Sequence, residues 1–388
     1  MQTSLQIRAV LAVMMIAVGL LCAAPKSLVR GAVAEAAQTA TSQPAEAPRV
    51  TNAKLETRQL SGPLDAAMRE LTQHADTAQW VGYAVGQIAG EHSMCCWNYG
   101  ESNHDGNCGT CRLESDNNQS TGTRSKSSST TVELEGSRNM VVLLRLEGRR
   151  VMKIRSFSSE CLLDAGGLPF VWLTGVKPAE SVALLSGYAR GEDFDEDEGR
   201  SLAHGALMAV AMHGDAAADR AMESFIAPGQ PEGLRKQAAF WLGAARGKSG
   251  VLLLEKVAKS DPSPDVRSQV AFALHVSKEP AALDDMIRMA HEDSSAHVRG
   301  QALFWLAQKA GQKAASTIQG AIENDPDTEV KKKAVFALSQ MPKDEGVPKL
   351  IEVAQNNRNP EVRKQAMFWL GQSHDPRALD FFEKILSR

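Results

Sequence analysis

A repeat of 32 residues limits what this chain can fold into more than any other feature. Leu234–Leu242 reads LRKQAAFWL, and the pattern returns at Val266–Leu274, Val298–Leu306, Val330–Leu338 and Val362–Leu370 without slippage. Leu202–Val210 is a degraded copy that lacks the arginine. A second ladder keeps the same spacing: Met222, Leu254, Met286, Ile318, Leu350 and Phe382. Each unit holds two apolar stretches at helical spacing, and Asp261-Pro262 and Asp325-Pro326 break the chain between them, since proline cannot continue a helix. Two helices of roughly ten residues cannot bury their apolar faces alone, so neighbouring units must stack.

The second helix of each unit carries Val-Arg-x-x-Ala-x-x-x-Leu, as in Val298-Arg299 through Leu306. Over roughly residues 200–388 the chain therefore resembles the HEAT family, in particular the short bacterial form first described in phycobilin lyases. The resemblance implies an armadillo-like α-solenoid whose second helices line a concave surface. It also implies that Arg235, Arg267, Arg299, Lys331 and Arg363 meet an acidic group of the adjacent repeat. It names no partner, because such repeats serve many functions.

On a helical wheel Val266, Val270, Ala273 and Leu274 form a core-facing arc. The position of Trp241, Ala273, Trp305, Ala337 and Trp369 falls within it, so large and small residues alternate and the tryptophans read as core. Phe240, Phe272, Phe304, Phe336 and Phe368 lie about 145° from the centre of that arc at 100° per residue. Gln237, Gln269, Gln301 and Gln365 share their side. Together they make a candidate partner-binding groove for an extended peptide or a protein helix. The plainer alternative is that each phenylalanine packs against the helix of the next repeat.

Upstream the character changes, and the fold class expected is α+β multidomain, a small β-rich domain followed by an all-α solenoid. Residues 1–36 have the grammar of a signal peptide: Arg8, an apolar run from Ala9 to Ala24, and an Ala32-Val33-Ala34 cleavage site. Residues 37–54 read as a flexible leader, 55–176 as the β-rich domain and 177–388 as the repeats. Leu64–His74 reads as a helix. Gln79–Ile88, Thr130–Leu134, Met140–Leu146, Val151–Phe157 and Leu168–Leu173 read as strands. The insert Gly100–Ser129 reads as an exposed polar loop, and the acidic run Glu192–Glu198 as a solvated one. Trp80-Val81-Gly82-Tyr83 and Met94-Cys95-Cys96-Trp97 are similar to stretches of exported bacterial proteins with a C-terminal HEAT array.

Export to the periplasm or beyond places Cys95, Cys96, Cys108, Cys111 and Cys161 in an oxidising compartment, where disulfides are the default. Adjacent Cys95 and Cys96 are poorly placed to aim at one zinc ion. Cys108-Gly109-Thr110-Cys111 has no βαβ unit around it to support a redox motif. A redox or metal-dependent envelope enzyme built on Cys95, Cys96, Cys108 and Cys111 is the rival reading. No catalytic residue, metal site or cofactor is assigned. A net charge of −3 gives no field for nucleic acid, and a membrane enters only if the N-terminal segment stays uncleaved.

Overall fold

The computed structural model describes residues 48–90, 94–95, 110–115, 120–121, 138–191, 202–309 and 312–387, all within one compact unit. Residues 1–36, Thr130–Leu134 and Glu192–Glu198 lie outside them, so the readings placed there have no counterpart below. Among the described residues nine strands come first, with one helix among them: β1 (Val50–Thr51), β2 (Lys54–Gln59), α1 (Leu64–Gln73), β3 (Gln79–Gly86), β4 (Thr110–Arg112), β5 (Ser120–Thr121), β6 (Asn139–Glu147), β7 (Arg150–Ser158), β8 (Leu163–Asp164) and β9 (Pro169–Thr174).

The larger sheet runs β2-β9-β3-β6-β7, with β2 and β3 parallel to β9 and the rest antiparallel. The smaller runs β1-β8-β4-β5. Side chains alternate across the larger sheet. Trp80, Val141, Leu143 and Phe170 pack with Cys111, Leu113 and Leu163 of the smaller sheet. Val81, Tyr83, Val142 and Leu144 face the helices. Burial on both faces is why Met140–Leu146 is apolar almost throughout, where a half-exposed strand would alternate.

Two sequence expectations are corrected here. The insert Gly100–Ser129 is not wholly an exposed loop: β4 lies inside it, and Cys111 and Leu113 are fully buried. Strand β2 escaped notice because every one of its six residues is exposed, a polar edge strand without an apolar rhythm. The short β1 likewise falls inside the stretch read as leader, held by the backbone bonds Leu163 N to Arg49 O and Ala165 N to Thr51 O.

The helices follow as α2 (Pro178–Ala189), α3 (Leu202–Met212), α4 (Ala216–Phe225), α5 (Glu232–Ala245), α6 (Gly247–Ser260), α7 (Pro264–Val276), α8 (Ala281–Glu292), α9 (Ala296–Lys309), α10 (Gln312–Asn324), α11 (Thr328–Gln340), α12 (Lys343–Asn356), α13 (Pro360–Gln372) and α14 (Pro376–Leu386). Their starts are written locally. Ser263, Asp327 and Asn359 cap α7, α11 and α13 through side-chain oxygens, and proline opens α7 and α13. The motif-bearing helices α3, α5, α7, α9, α11 and α13 stack side by side, and the intervening helices form the second layer.

Sheet and solenoid share one core. A single apolar cluster runs from Leu64 through Val142 to Phe381. Helix α3 reaches the sheet so closely that a Cβ on Gly205 would lie 2.3 Å from Ile154 O, so only glycine fits there. Backbone bonds add to the seam: Gly214 N donates to Gly86 O (2.9 Å) and Ile88 N to Met212 O (2.8 Å).

Candidate functional site

The arginine of the repeat does what the resemblance implied in three units. Arg267 donates to Asp293 (2.8 and 2.9 Å) and Arg299 to Asp325 (2.8 and 2.9 Å), and Arg235 is paired with Asp261. Each aspartate stands at the turn into the next second helix, and Arg267 Nη1 also donates to Asp261 O (2.8 Å), so successive repeats are tied through one turn. The partner carboxylates raise the guanidinium pKa of Arg267 and Arg299. Lys331 and Arg363 depart from this pattern. The position 26 residues after Lys331 is Asn357, which offers no carboxylate, and Lys331 donates to Glu323 O (2.8 Å) instead. Arg363 donates to Asn357 O (2.8 Å), the counterpart of the Arg267 contact with Asp261 O.

These ties hold the second helices parallel and in register, and the register aligns the phenylalanines. Phe240 stacks on Phe272 with centroids 5.9 Å apart, and Phe304 on Phe336 at 5.8 Å. Between the two stacks Phe272 meets Trp305 at 4.6 Å and Trp305 meets Phe304 at 4.8 Å. Phe336 meets Trp369 at 4.9 Å, Trp369 meets Phe368 at 5.0 Å, and Trp241 meets Phe240 at 5.2 Å. Eight rings thus form one continuous ribbon across α5, α7, α9, α11 and α13. Aromatic pairs at these separations are attractive beyond their burial.

The ribbon is neither core nor free surface. Phe240, Phe272, Phe304 and Phe336 are half-buried, while Phe368, in the last motif-bearing helix, is 54% exposed. The phenylalanines pack on rings of neighbouring repeats and still show a face to solvent. The tryptophans need a correction. Placed by the wheel inside the core arc, Trp241, Trp305 and Trp369 are only half-buried and complete the ribbon. Indole is too large to be wholly enclosed in a step between two thin helices, so it spans from core to surface.

Gln237, Gln269, Gln301 and Gln365 are half-buried on the same helices, and their amides make no hydrogen bond within the described residues. The fifth equivalent position is Lys333, on α11, which lies against Gly300. An aromatic ribbon beside unengaged amides can accept apolar side chains and pair with the polar edge of a backbone at once.

The described cysteines are all in disulfides. Cys95 is bonded to Cys161 (Cα–Cα 5.4 Å), which removes it from any four-thiolate set in the insert. Cys111 is also disulfide-bonded. Cys96 and Cys108 lie outside the described residues. An open cleft of about 710 Å³ on the smaller sheet holds Glu114 and Asp164. Both are already satisfied, Glu114 by Trp80 Nε1 (2.8 Å) and Arg145, Asp164 by Asn52 and Gly166 N.

One buried constellation was missed. Tyr83 hydroxyl, Ser181 hydroxyl and His213 Nε2 form a chain with 2.9 Å at each step. A serine beside a histidine invites a nucleophile reading, but Ser181 and His213 are 0% exposed. No substrate carbonyl could reach the hydroxyl, so the trio is a junction between strand β3, helix α2 and the α3–α4 turn. No sequence signal joins residues so far apart.

The repeat architecture is matched by a family model. The family model described as HEAT repeats matches residues 220–307 and 314–388. No curated protein sequence matches the chain. Among solved structures, human deoxyhypusine hydroxylase in complex with glycerol is 15% identical, with 53% of this chain and 90% of that one covered at a TM-score of 0.24. The CpcE–CpcF complex of phycocyanin lyase from Nostoc is 20% identical, covering 40% and 99% at 0.32. Escherichia coli YibA is 24% identical, covering 43% and 64% at 0.32.

Proposed function

Residues 220–307 and 314–388 of this chain match HEAT repeats, and on that premise we propose that the protein is a non-catalytic scaffold that holds a protein or peptide segment along the aromatic ribbon. The observation that carries the reading is the pairing of eight half-buried or exposed rings with four unengaged glutamine amides on adjacent helices. Apolar surface left in water beside polar groups marks interaction sites, and aromatic anchors dominate binding energy where partners meet. A disulfide between Cys95 and Cys161 fits the exported location that residues 1–36 suggest.

The test is a selection of displayed peptides on the full chain, followed by titration of the winners against Phe304→Ala and Gln301→Ala. Expected is a loss of affinity of about tenfold or more for Phe304→Ala, as for an anchor residue, with the fold retained. Selected peptides that bind both variants as tightly as the parent would place the partner on another surface.

A further inference from the structure

The second helices stack in steps of two kinds, and one of them is left unfinished. The step from α5 to α7 closes on backbone: a Cβ on Gly243 would sit 2.1 Å from Ala273 O. The steps that admit a tryptophan, into α5, α9 and α13, leave the end of the preceding second helix open to a side chain. Helix ends carry carbonyls with no partner in the helix and a partial negative charge. In the first such step Arg246 Nη1 donates to Ala211 O (3.1 Å) and His213 O (2.6 Å). In the second Lys309 Nζ donates to Leu274 O (3.1 Å), His275 O (2.9 Å) and Ser277 O (2.7 Å).

Two periods after those three acceptors stand Leu338, Ser339 and Met341, and two periods after Lys309 stands Ser373. The serine cannot take the place of the lysine. Its hydroxyl turns back to Leu370 O (2.7 Å). A cavity of about 150 Å³ occupies the position instead, lined by Leu338, Ser339, Met341, Leu350, Trp369 and Ser373. Among the described residues no lysine or arginine side chain donates to the Ser339 or Met341 carbonyl.

We propose that this cavity binds a primary alkylammonium group, supplied from outside the chain where the earlier steps supply their own cation. The class follows from the Lys309 counterpart, in which one nitrogen with three diverging donors meets three carbonyls at the end of a flexible apolar stem. In the cavity Leu338 O already accepts from Met341 N (3.2 Å), which leaves the Ser339 and Met341 carbonyls for the cation. The Val347 and Leu350 side of the cavity suits such a stem. The inference rests on internal repetition and stands apart from the ribbon reading. Trp369 belongs to both surfaces, however, so a segment lying on the ribbon could drop a lysine into the cavity.

The experiment is a titration of the full chain with n-butylammonium chloride, with n-butanol as the neutral control, read at the Trp369 indole N–H resonance assigned through Trp369→Phe. Saturable binding in the millimolar range is expected for the cation and not for the alcohol, given so small a ligand. Ser373→Lys should fill the cavity from within, abolish the shift and raise Tm. Lys309→Ser should open a second site, so that the Trp305 indole responds as well. An acetylated, amidated Ala-Lys-Ala peptide binding more tightly than n-butylammonium points to a protein lysine, and the reverse order points to a free amine. No saturable response in the parent chain overturns the proposal. It is equally overturned if the response appears only in Lys343→Ala, since Lys343 at the rim would then be the cavity's own plug. Persistence of the shift in Ser373→Lys also places the amine elsewhere.

Discussion

At Phe304 and Leu306, two residues apart on α9, the same helix serves surface and core. Leu306 is fully buried and Phe304 half-buried within the ribbon. Truncating Leu306 to alanine should cost about 2–5 kcal/mol, the range for a core leucine that leaves a cavity. Phe304→Ala should cost roughly 1–2 kcal/mol, because part of its ring already meets water. Equal costs in chemical denaturation would mean that the ribbon is packing alone. The buried pair Arg299–Asp325 makes a sharper case. Removing one partner strands a charge with its desolvation uncompensated, so Asp325→Ala should lose about 3–5 kcal/mol. The double change Arg299→Met with Asp325→Leu should recover most of that, since paired hydrophobic replacement of a buried bridge is often neutral. Thermal melts of the three variants decide it.

Among the helices, the alternation of tryptophan and alanine gives the array a true period of two repeats. Stability in a solenoid is close to additive over units and their interfaces. Deleting residues 266–297 removes one unit but sets the Trp241 helix directly before the Trp305 helix, so two bulky steps adjoin. Deleting 266–329 removes two units and restores the sequence tryptophan then alanine. Plain additivity makes the single deletion cost half of the double one. The packing instead predicts that it costs at least as much, and calorimetry of both shortened chains checks the difference. Both should still unfold cooperatively.

At the scale of the whole molecule, the sheet and the solenoid are joined through His213. Burial lowers its pKa to about 4, with Arg246 lowering it further and Asp215 opposing. The unfolded chain binds this proton near its ordinary value of 6.5, and the folded chain refuses it until about 4. Stability from this group is therefore complete above 6.5 and is lost as pH falls through that window, by about 3 kcal/mol in total. Expected is a loss of stability between pH 7 and pH 4 that becomes shallower in His213→Gln. The neighbouring Ser181 and Tyr83 hydroxyls remain neutral throughout this range, since burial pushes the Tyr83 pKa well up. An unchanged pH slope in the variant would remove His213 as the acid-sensitive group at the seam.

What the sequence determined by itself was everything with short reach: the 32-residue unit, the break between its two helices, and the faces that carry Phe304 and Gln301, to which the family resemblance added an acidic partner for Arg299. Local periodicity dictates these, because a helix repeats its own geometry and a solenoid brings together only neighbouring units. The strands β3, β6, β7 and β9 were legible for the same reason, while polar β2 and buried β4 were not. Tertiary structure alone decided the rest. Whether Trp305 ends in the core or on the ribbon depends on the width of a step between helices, which no wheel contains. The meeting of Tyr83, Ser181 and His213 depends on how a sheet docks against the first helix pair. The cavity at Ser373 shows only when three distant helix ends are superposed and one of them lacks its cation. Contacts of long sequence separation leave no periodic trace in the chain, and it is these that shape the surfaces on which a partner would act.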